Sequence, residues 1–407
     1  MLERTNYIEQ LWTWKDEQVI KVITGIRRSG KSTLLKQYQD RLISNGIKKE
    51  QIVYINFEEI ENEHLLDYHT LHDYLKSFLG NDKMTYIFLD EIQKVPDFEK
   101  TVDSIYVKPN VDIYITGSNS YFLSSDLATL LSGRYIEIPI LPFSFAEYVQ
   151  LNPSKDKNEL FAEYLEYGGF PYLASMEKTP VKADVYLEGI YNTVIVHDIE
   201  ERARLNKQYD KRKINDIILL KTIARYLVSV IGSQVSTKKI ADYLKSNLRA
   251  ISPNTVNDYI EALAEAFVFY KAERYDIAGK QLLKQNSKWY VVDIGLRNHI
   301  LPKQHYDLGF TLENIVYLEL LRRNYRLNVG KFNATEIDFV AEKNGIFEYY
   351  QVTADMTAEA TFTREITPLQ SLKDNYDKIV LTLDRFSLGN YNGVKVVNII
   401  DWLLSAT

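Results

Sequence analysis

Residues 25–33 read Gly25-Ile26-Arg27-Arg28-Ser29-Gly30-Lys31-Ser32-Thr33, which matches the pattern G-x-x-x-x-G-K-[ST]. A β-like run, 18–24, leads into this stretch, and a helical pattern follows it from residue 34. Glycines let the backbone curl, so that successive N–H groups and the N-terminus of the next helix converge on a phosphate group. The agreement of strand, loop and helix predicts a phosphate-binding loop rather than a chance match in a glycine-containing turn.

Two side chains at the end of this loop are expected to act on a bound nucleotide. Lys31 would reach the β- and γ-phosphates, and the hydroxyl of Ser32 would ligate Mg²⁺. ATP and Mg²⁺ are therefore the predicted cofactors, held by residues 25–33. Arg27 and Arg28 have no assigned role and face the nucleotide, a partner or water.

A second motif lies at the end of an apolar run, 85–90, which stops at the acidic pair Asp90-Glu91. Parallel sheets present ligand sites at the carboxyl ends of their strands, so Asp90 is expected to hold Mg²⁺ through water. Glu91 would orient or deprotonate the attacking water. The alternative is that acidic residues end this strand because they are solvated. The pair favours hydrolysis over nucleotide storage.

Two further positions are candidate catalytic residues. The β-like run 111–116 leads into Gly117-Ser118-Asn119, where Ser118 or Asn119 could bond the γ-phosphate or the attacking water, or simply cap the strand. Arg134 follows Ser132-Gly133 and is a candidate arginine finger acting on a neighbouring subunit. A salt bridge within the chain is the alternative for Arg134. The finger would require an oligomer.

The chain is expected to have an α/β fold in three parts. Residues 1–148 alternate β-rich and helical patterns, as in a P-loop domain with a parallel sheet. Residues 149–300 are chiefly helical and end in two helices and a hairpin, the order of a winged helix-turn-helix. Residues 301–407 predict a small α/β domain. The predicted elements in the last two parts are helices at 237–244, 252–269, 311–324 and 368–375, and strands at 268–272, 288–292, 336–340, 346–352 and 378–383.

Composition narrows the class of protein. The chain has 407 residues, of which 45% are hydrophobic and 26% charged, so it is globular and long enough for several domains. It has no cysteine, which excludes disulfides, thiol catalysis and cysteine-ligated metals. Because it shows no signal segment and no apolar run of about 20 residues, we expect a soluble cytoplasmic protein without membrane contact.

Charge is uneven along the chain. The net charge is −6, yet the middle is basic, with a cluster in segment 202–213. This cluster and the winged helix could bind the phosphate backbone of DNA or RNA. The winged helix could equally pack against its own nucleotide-binding module or a neighbouring subunit, so a homo-oligomer or a protein partner is also expected. The basic residues of the cluster are Arg202, Arg204, Lys207, Lys211, Arg212 and Lys213.

The order of these motifs resembles that of the prokaryotic AAA-type ATPases that carry a C-terminal domain of unknown function. The resemblance spans nearly the whole chain and implies an AAA module of the additional-strand class, which uses a catalytic glutamate. It supports Lys31, Ser32, Asp90 and Glu91 as site residues. The stretches that carry it are 24–33, 89–93, 116–119, 132–134, 141–145, 290–297, 312–317 and 336–340.

The last domain is similar to the PD-(D/E)xK nuclease fold. That similarity implies a possible nuclease-like site at Glu313, Asp338 and Gln351, in which the strand-borne acid and Gln351 would hold Mg²⁺. Thr353 stands where the family has a lysine that helps to activate water. Because that cationic group is missing, a degenerate fold used for binding or assembly is favoured over an active nuclease.

Three functional hypotheses follow. The leading one is a Mg²⁺-dependent ATPase in which the nucleotide state moves the winged-helix and nuclease-like regions. The second is a slow nucleotide-controlled switch that recruits a protein partner. The third is a DNA-processing enzyme.

Overall fold

A computed structural model describes residues 2–80, 83–117, 131, 133–194, 199, 214, 216–301 and 307–405. The chain divides into two compact units. The first unit contains Met1–Leu141 and Glu265–Phe267, and the second contains Pro142–Ala264 and Val268–Thr407. The first boundary lies a few residues before the predicted one at 148. The predicted boundary at 300 falls inside the second unit.

The first unit is built on a five-stranded sheet with the order β2-β3-β4-β1-β5. All neighbouring strands are parallel, and β4 lies between β1 and β3. Their carboxyl ends therefore meet at one edge. The elements are α1 (Thr5–Thr13), β1 (Ile20–Thr24), α2 (Lys31–Ser44), β2 (Ile52–Asn56), α3 (Tyr68–Lys76), β3 (Thr85–Asp90), α4 (Phe98–Tyr106), β4 (Val111–Thr116) and β5 (Tyr135–Pro139).

The parallel sheet is buried on both faces. Every residue of β1 and of β3 is buried, which explains why these strands read as nearly continuous apolar runs. One face packs against α3 and α4 through residues such as Leu71 and Val102. The other packs against α1 and α2 through residues such as Leu11 and Leu35. This double packing fixes the strand ends that carry the predicted nucleotide motifs.

The second unit begins with a run of helices, which is followed by a sheet with further helices between and after its strands. Among the described residues of the chain, no helix is long and apolar enough to span a bilayer. The helices before the sheet are α5 (Phe145–Leu151), α6 (Lys157–Tyr167), α7 (Pro171–Ser175), α8 (Pro180–Asn192), α9 (Ile217–Ser229), α10 (Thr237–Asn247) and α11 (Pro253–Glu265).

The sheet of the second unit has eight strands in the order β12-β13-β11-β10-β9-β8-β6-β7. The hairpin β6–β7 follows the helices, and β6 pairs in parallel with β8 of the C-terminal part. The predicted second and third parts therefore share one sheet. The elements are β6 (Phe269–Asp276), β7 (Gln281–Val291), α12 (Ile294–Ile300), α13 (Leu308–Arg322), β8 (Arg326–Phe332), β9 (Thr335–Lys343), β10 (Ile346–Thr353), α14 (Glu359–Gln370), β11 (Asp377–Thr382), β12 (Gly389–Tyr391), β13 (Val394–Asn398) and α15 (Ile399–Leu404).

Local signals fix several of these boundaries. The Ser252 hydroxyl accepts a hydrogen bond from Thr255 N at 3.1 Å, so it caps α11 ahead of Pro253. Asn344 and Gly345 both have positive φ, as the tight turn between β9 and β10 requires. One prediction was wrong in position: the helix expected at 368–375 is α14, which ends at Gln370. Its buried apolar residues, Ile366, Pro368 and Leu369, lie at and around the proline, so the helix extends N-terminal to Pro368 instead of beginning there.

Candidate functional site

The phosphate loop, which we define as residues 25–30, joins the end of β1 to the start of α2. Gly25 and Gly30 have φ values of +140° and +100°, conformations that favour glycine. A Cβ atom on Gly25 would lie 2.2 Å from the carbonyl oxygen of Ile140. The backbone path therefore requires both glycines. The loop places the N-terminal N–H groups of α2 at the carboxyl edge of the sheet.

Lys31, the first residue of α2, is turned back onto this loop. Its buried Nζ donates to the carbonyl oxygens of Gly25, at 3.0 Å, and Ile26, at 3.4 Å. Among the described residues, the buried hydroxyl of Ser29 has no hydrogen-bond partner. An ammonium group that donates to main-chain carbonyls and a buried hydroxyl without a described partner are suited to receive an anion. The loop thus fits a phosphate group, as the sequence predicts.

The acid pair, Asp90 and Glu91, lies at the end of β3. Asp90 is fully buried and accepts hydrogen bonds from the hydroxyls of Tyr54, at 2.9 Å, and Thr116, at 2.5 Å. Burial and the charge of Asp90 raise the pKa of Tyr54, so this tyrosine remains a hydrogen-bond donor. Both carboxylate oxygens of Asp90 are therefore bonded to protein hydroxyls.

Glu91 is held in an unusual conformation beside Lys31. Its φ is +56°, and its backbone N–H donates to the Thr116 hydroxyl at 2.9 Å. The Glu91 carboxylate accepts from Gln93 Nε2 at 2.5 Å and lies 3.7 Å from Lys31 Nζ. A left-handed conformation costs about 1–3 kcal/mol in a residue other than glycine and is concentrated at functional sites. The structure brings the side chains of Lys31 and Glu91 together.

Thr116, Tyr54 and Gln93 were missed by the sequence reading. Thr116 is the last residue of β4, the strand that separates β1 from β3, and it bonds both members of the acid pair. A hydroxyl at the end of the strand before Gly117 is the signal that could have identified it. The two residues named instead, Ser118 and Asn119, lie outside the described residues.

The remaining predicted residues of the first unit take different places. Ser32 and Thr33 lie in the first turn of α2 and are half-buried, next to the loop. Arg27 pairs with Glu58 at 2.5 Å, and Arg28 has a positive φ. Arg134 precedes β5, at the amino edge of the sheet, and pairs with Asp103 at 3.0 Å.

This arrangement gives Arg134 a partner within its own chain. Its backbone carbonyl accepts from Ile20 N at the start of β1, whereas the phosphate loop follows the end of β1. Arg134 therefore does not join the acid pair of its own chain. A role on a neighbouring subunit stays a prediction.

Comparison with known proteins agrees with this geometry. Residues 17–149 match the family model of the AAA domain, and residues 158–307 match that of a domain of unknown function (DUF8612). An uncharacterized protein of Haemophilus influenzae is 40% identical over 409 residues, which cover 99% of each chain. The chain belongs to this family of AAA-domain proteins.

Two further comparisons concern a more distant sequence relative and a solved structure. The uncharacterized protein MJ1544 of Methanocaldococcus jannaschii is 33% identical over 341 residues, covering 79% of this chain and 71% of its own. Among solved structures, the Walker-type ATPase PABY2304 of Pyrococcus abyssi is similar over 74% of this chain and 96% of its own. Its TM-score is 0.51 and its identity 15%, so it supports the P-loop ATPase fold. We refer to the first unit as the AAA module.

Outside the AAA module, the three predicted nuclease-like residues lie in the second unit. Glu313 is on α13, Asp338 on β9 and Gln351 on β10, in the predicted order. Asp338 N donates to Gln351 Oε1 at 2.8 Å, so these two residues are in direct contact. Thr353, where a lysine is expected, donates its hydroxyl to the Asp355 carbonyl at 3.2 Å.

A lysine that the sequence reading did not connect with this site lies next to it. Lys288 on β7 is 2% exposed, and its Nζ is 2.9 Å from Glu313 Oε1 and 3.8 Å from Asp338 Oδ1. Glu336 Oε1 is 2.8 Å from the same Nζ. We call Lys288, Glu313, Glu336 and Asp338 the lysine–carboxylate cluster.

The predicted nucleic-acid surface is described only in part. The basic cluster in segment 202–213 lies outside the described residues. The helices α10 and α11 and the hairpin β6–β7 follow one another in the predicted order. Gln234, three residues before the start of α10, forms an isolated antiparallel β-bridge with Lys288 of β7.

Proposed function

We propose that the AAA module binds ATP with Mg²⁺ and hydrolyses it to ADP and phosphate. The observation that carries this proposal is the approach of Lys31 Nζ to Glu91 Oε1 at 3.7 Å, which joins the phosphate loop to the acid pair. A cation for the phosphates and a carboxylate for the water are the two groups that phosphoryl transfer to water needs side by side.

The loop side of the site would bind the triphosphate. Backbone N–H groups of the phosphate loop and of the first turn of α2 would donate to the β-phosphate. Lys31 would exchange its bonds to the Gly25 and Ile26 carbonyls for bonds to the β- and γ-phosphate oxygens. Ser32, with Asp90 acting through water, would hold Mg²⁺. When bound, Mg²⁺ neutralises negative charge on the β- and γ-phosphates.

The acid side would act on the attacking water. Glu91 is the base, and its carboxylate would take a proton from a water molecule placed between it and the γ-phosphate. Thr116 fixes the backbone of Glu91 and the carboxylate of Asp90 at once. Gln93 donates to one carboxylate oxygen of Glu91 and so helps to orient the carboxylate.

Two substitutions separate binding from turnover. Lys31→Ala should abolish or sharply weaken ATP binding, because it removes the cation that faces the phosphates. Glu91→Gln should keep ATP binding and stop phosphate release. Exposed residues of the same module serve as matched controls, with Lys76→Ala and Glu61→Gln expected to resemble wild type. Normal hydrolysis by Glu91→Gln would refute the assigned role of Glu91.

A slow nucleotide-controlled switch is the second candidate function. It is favoured by the contacts of Glu91 with Gln93 and Lys31, which engage the carboxylate that would act on water. In this proposal the nucleotide state moves the second unit and changes the oligomeric state or the affinity for a protein partner. Mass measurement in solution with ATP, with ADP and without nucleotide tests it. A mass that does not change, together with rapid turnover, would contradict it.

The second unit supports a nucleic-acid proposal as well. The order α10, α11, β6 and β7, together with the bridge between Gln234 and Lys288, is what a winged helix requires. Contacts would be mainly to backbone phosphates, so binding should weaken steeply with salt. Titration of duplex DNA and of RNA at two salt concentrations, with ATP turnover measured in parallel, tests it. Absence of binding at low salt would rule out this role.

A further inference from the structure

The lysine–carboxylate cluster draws on three elements of the second unit. Lys288 comes from β7, Glu313 from α13, and Glu336 and Asp338 from β9. The three oxygens nearest to Lys288 Nζ are 2.8, 2.9 and 3.8 Å away, one from each carboxylate. An ammonium group has three N–H donors, so Lys288 can donate to Glu313 and Glu336 at once, while Asp338 lies at ion-pair distance.

Each acid also accepts a hydrogen bond from a neutral group. Tyr290 donates its hydroxyl to Glu313 Oε1 at 2.6 Å, and Gln234 Nε2 donates to Glu336 Oε2 at 2.6 Å. Asp338 Oδ2 accepts from the backbone N–H of Val352 at 2.9 Å. Every carboxylate of the cluster therefore has a second partner besides Lys288.

These contacts do not fit the metal site that the nuclease-like fold implies. The Gln351 carbonyl oxygen, its possible metal ligand, already accepts from Asp338 N, and its amide donates to Glu365 at 2.8 Å. Within the described parts of the chain, no three acidic, histidine or cysteine side chains converge in a way that could hold a metal ion. The cation that these carboxylates face is the ammonium of Lys288.

We propose that Lys288 is the resident cation of the nuclease-like site. Its ammonium takes the place of a divalent metal and ties the hairpin β6–β7 to α13 and β9. The site is then a structural junction that makes the helical segment and the C-terminal α/β segment one unit. It follows that this site does not cleave nucleic acid with Mg²⁺ or Mn²⁺.

The charges of the cluster support this assignment. Burial lowers the pKa of Lys288, but the charges of Glu313, Asp338 and Glu336 outweigh it and raise that pKa above its ordinary value. Lys288 is therefore an ammonium at any physiological pH. Burial also raises the pKa of Asp338 and of Glu313.

The test compares metal binding with stability in the full-length chain. Mn²⁺ is titrated into nucleotide-free protein, with paramagnetic resonance reporting the free ion, for wild type and Asp338→Asn. We expect the two titrations to superimpose and neither protein to cleave plasmid DNA or single-stranded RNA in Mn²⁺. Binding or cleavage by wild type that is lost in Asp338→Asn would overturn the proposal. This comparison does not depend on any variant of Lys288.

Stability tests the junction itself. Lys288→Met leaves the buried carboxylate of Glu313 and the partly exposed carboxylates of Asp338 and Glu336 without their cation, so we expect its midpoint of thermal unfolding to fall by about 6 °C or more. Lys271→Met on the neighbouring strand β6 is the matched control, since Lys271 is exposed and its ammonium forms an ion pair with the half-exposed side chain of Glu273 at 3.2 Å. Equal midpoints of thermal unfolding for the two variants would contradict the structural role proposed for Lys288.

Discussion

Thr116 offers the sharpest perturbation of the acid pair, because one hydroxyl serves both of its members. Its Oγ1 donates to Asp90 Oδ1 at 2.5 Å and accepts from Glu91 N at 2.9 Å. Valine has the same shape without the hydroxyl, so Thr116→Val removes both hydrogen bonds and leaves a carboxylate oxygen and an N–H group unsatisfied in a buried place. The substitution adds no new bulk.

The magnitude follows from the two bonds. A hydrogen bond to a charged group contributes about 1.5–3 kcal/mol and a neutral one about 0.5–1.5 kcal/mol, so we expect the free energy of unfolding to fall by roughly 2–4 kcal/mol. Because Glu91 loses the contact that fixes its backbone, ATP hydrolysis should fall roughly 10- to 100-fold. ATP affinity should change little, since the phosphate loop is untouched.

Urea unfolding, ATP binding and phosphate release measure the three quantities. Thr101→Val is the matched control: Thr101 is also buried, and its hydroxyl donates to the carbonyl of Tyr68 at 2.7 Å, away from the acid pair. It should lose about 1 kcal/mol of stability and keep its turnover. If Thr116→Val hydrolyses ATP at the wild-type rate, the positioning role of Thr116 is wrong.

Three further predictions concern backbone strain, a buried ion pair and pH. Gly25→Ala would place Cβ 2.2 Å from the Ile140 carbonyl oxygen, so ATP affinity should fall at least ~10-fold, whereas Gly46→Ala, with positive φ but open space, should bind normally. Lys21→Met leaves the fully buried carboxylate of Asp112 without its cation, so the free energy of unfolding measured in urea should fall by about 3–5 kcal/mol. A decrease below about 1 kcal/mol would contradict this prediction. Burial raises the pKa of Asp293 from 3.8 to about 6, so this group stabilises the fold below about pH 4 and that stability is lost as the pH rises through about 6. Between pH 4 and pH 7 the free energy of unfolding in urea should therefore fall by about 3 kcal/mol, and Asp293→Asn should remove this decrease. An unchanged pH profile in the variant would show that Asp293 is not the group responsible.

The phosphate loop was predictable because its chemistry is local. Gly25, Gly30 and Lys31 are close in sequence, and the conformations that they adopt follow from the glycines and from the start of a helix. The acid pair was predictable for a similar reason, since the end of a buried strand is visible in the sequence. Both motifs lie at one edge because the sheet is parallel.

The partners of the acid pair required the order of the strands. Thr116 reaches Asp90 and Glu91 because β4 lies beside β3, and Tyr54 reaches Asp90 from β2 on the other side. No pattern within a single strand reveals which neighbour it has. The same limit applies to Lys288, whose strand is recognisable in the sequence while its pairing with acids on α13 and β9 is not.

The prediction of the domain organisation was also limited by strand pairing between distant parts of the sequence. The separation of the AAA module was expected from the end of its alternating pattern. The union of the hairpin β6–β7 with the C-terminal strands depends on the parallel pairing of Glu273–Asp276 with Asn328–Lys331. Parallel neighbours far apart in sequence leave no turn signal between them.

A single-turnover experiment tests the ATPase proposal most directly. Protein in excess over γ-labelled ATP is mixed with Mg²⁺, and bound ATP and released phosphate are followed in wild type and in Glu91→Gln. The proposal predicts that wild type converts the bound ATP to ADP and phosphate, while Glu91→Gln retains it intact. Equal conversion by both proteins, or failure of the wild type to bind ATP at all, would contradict it.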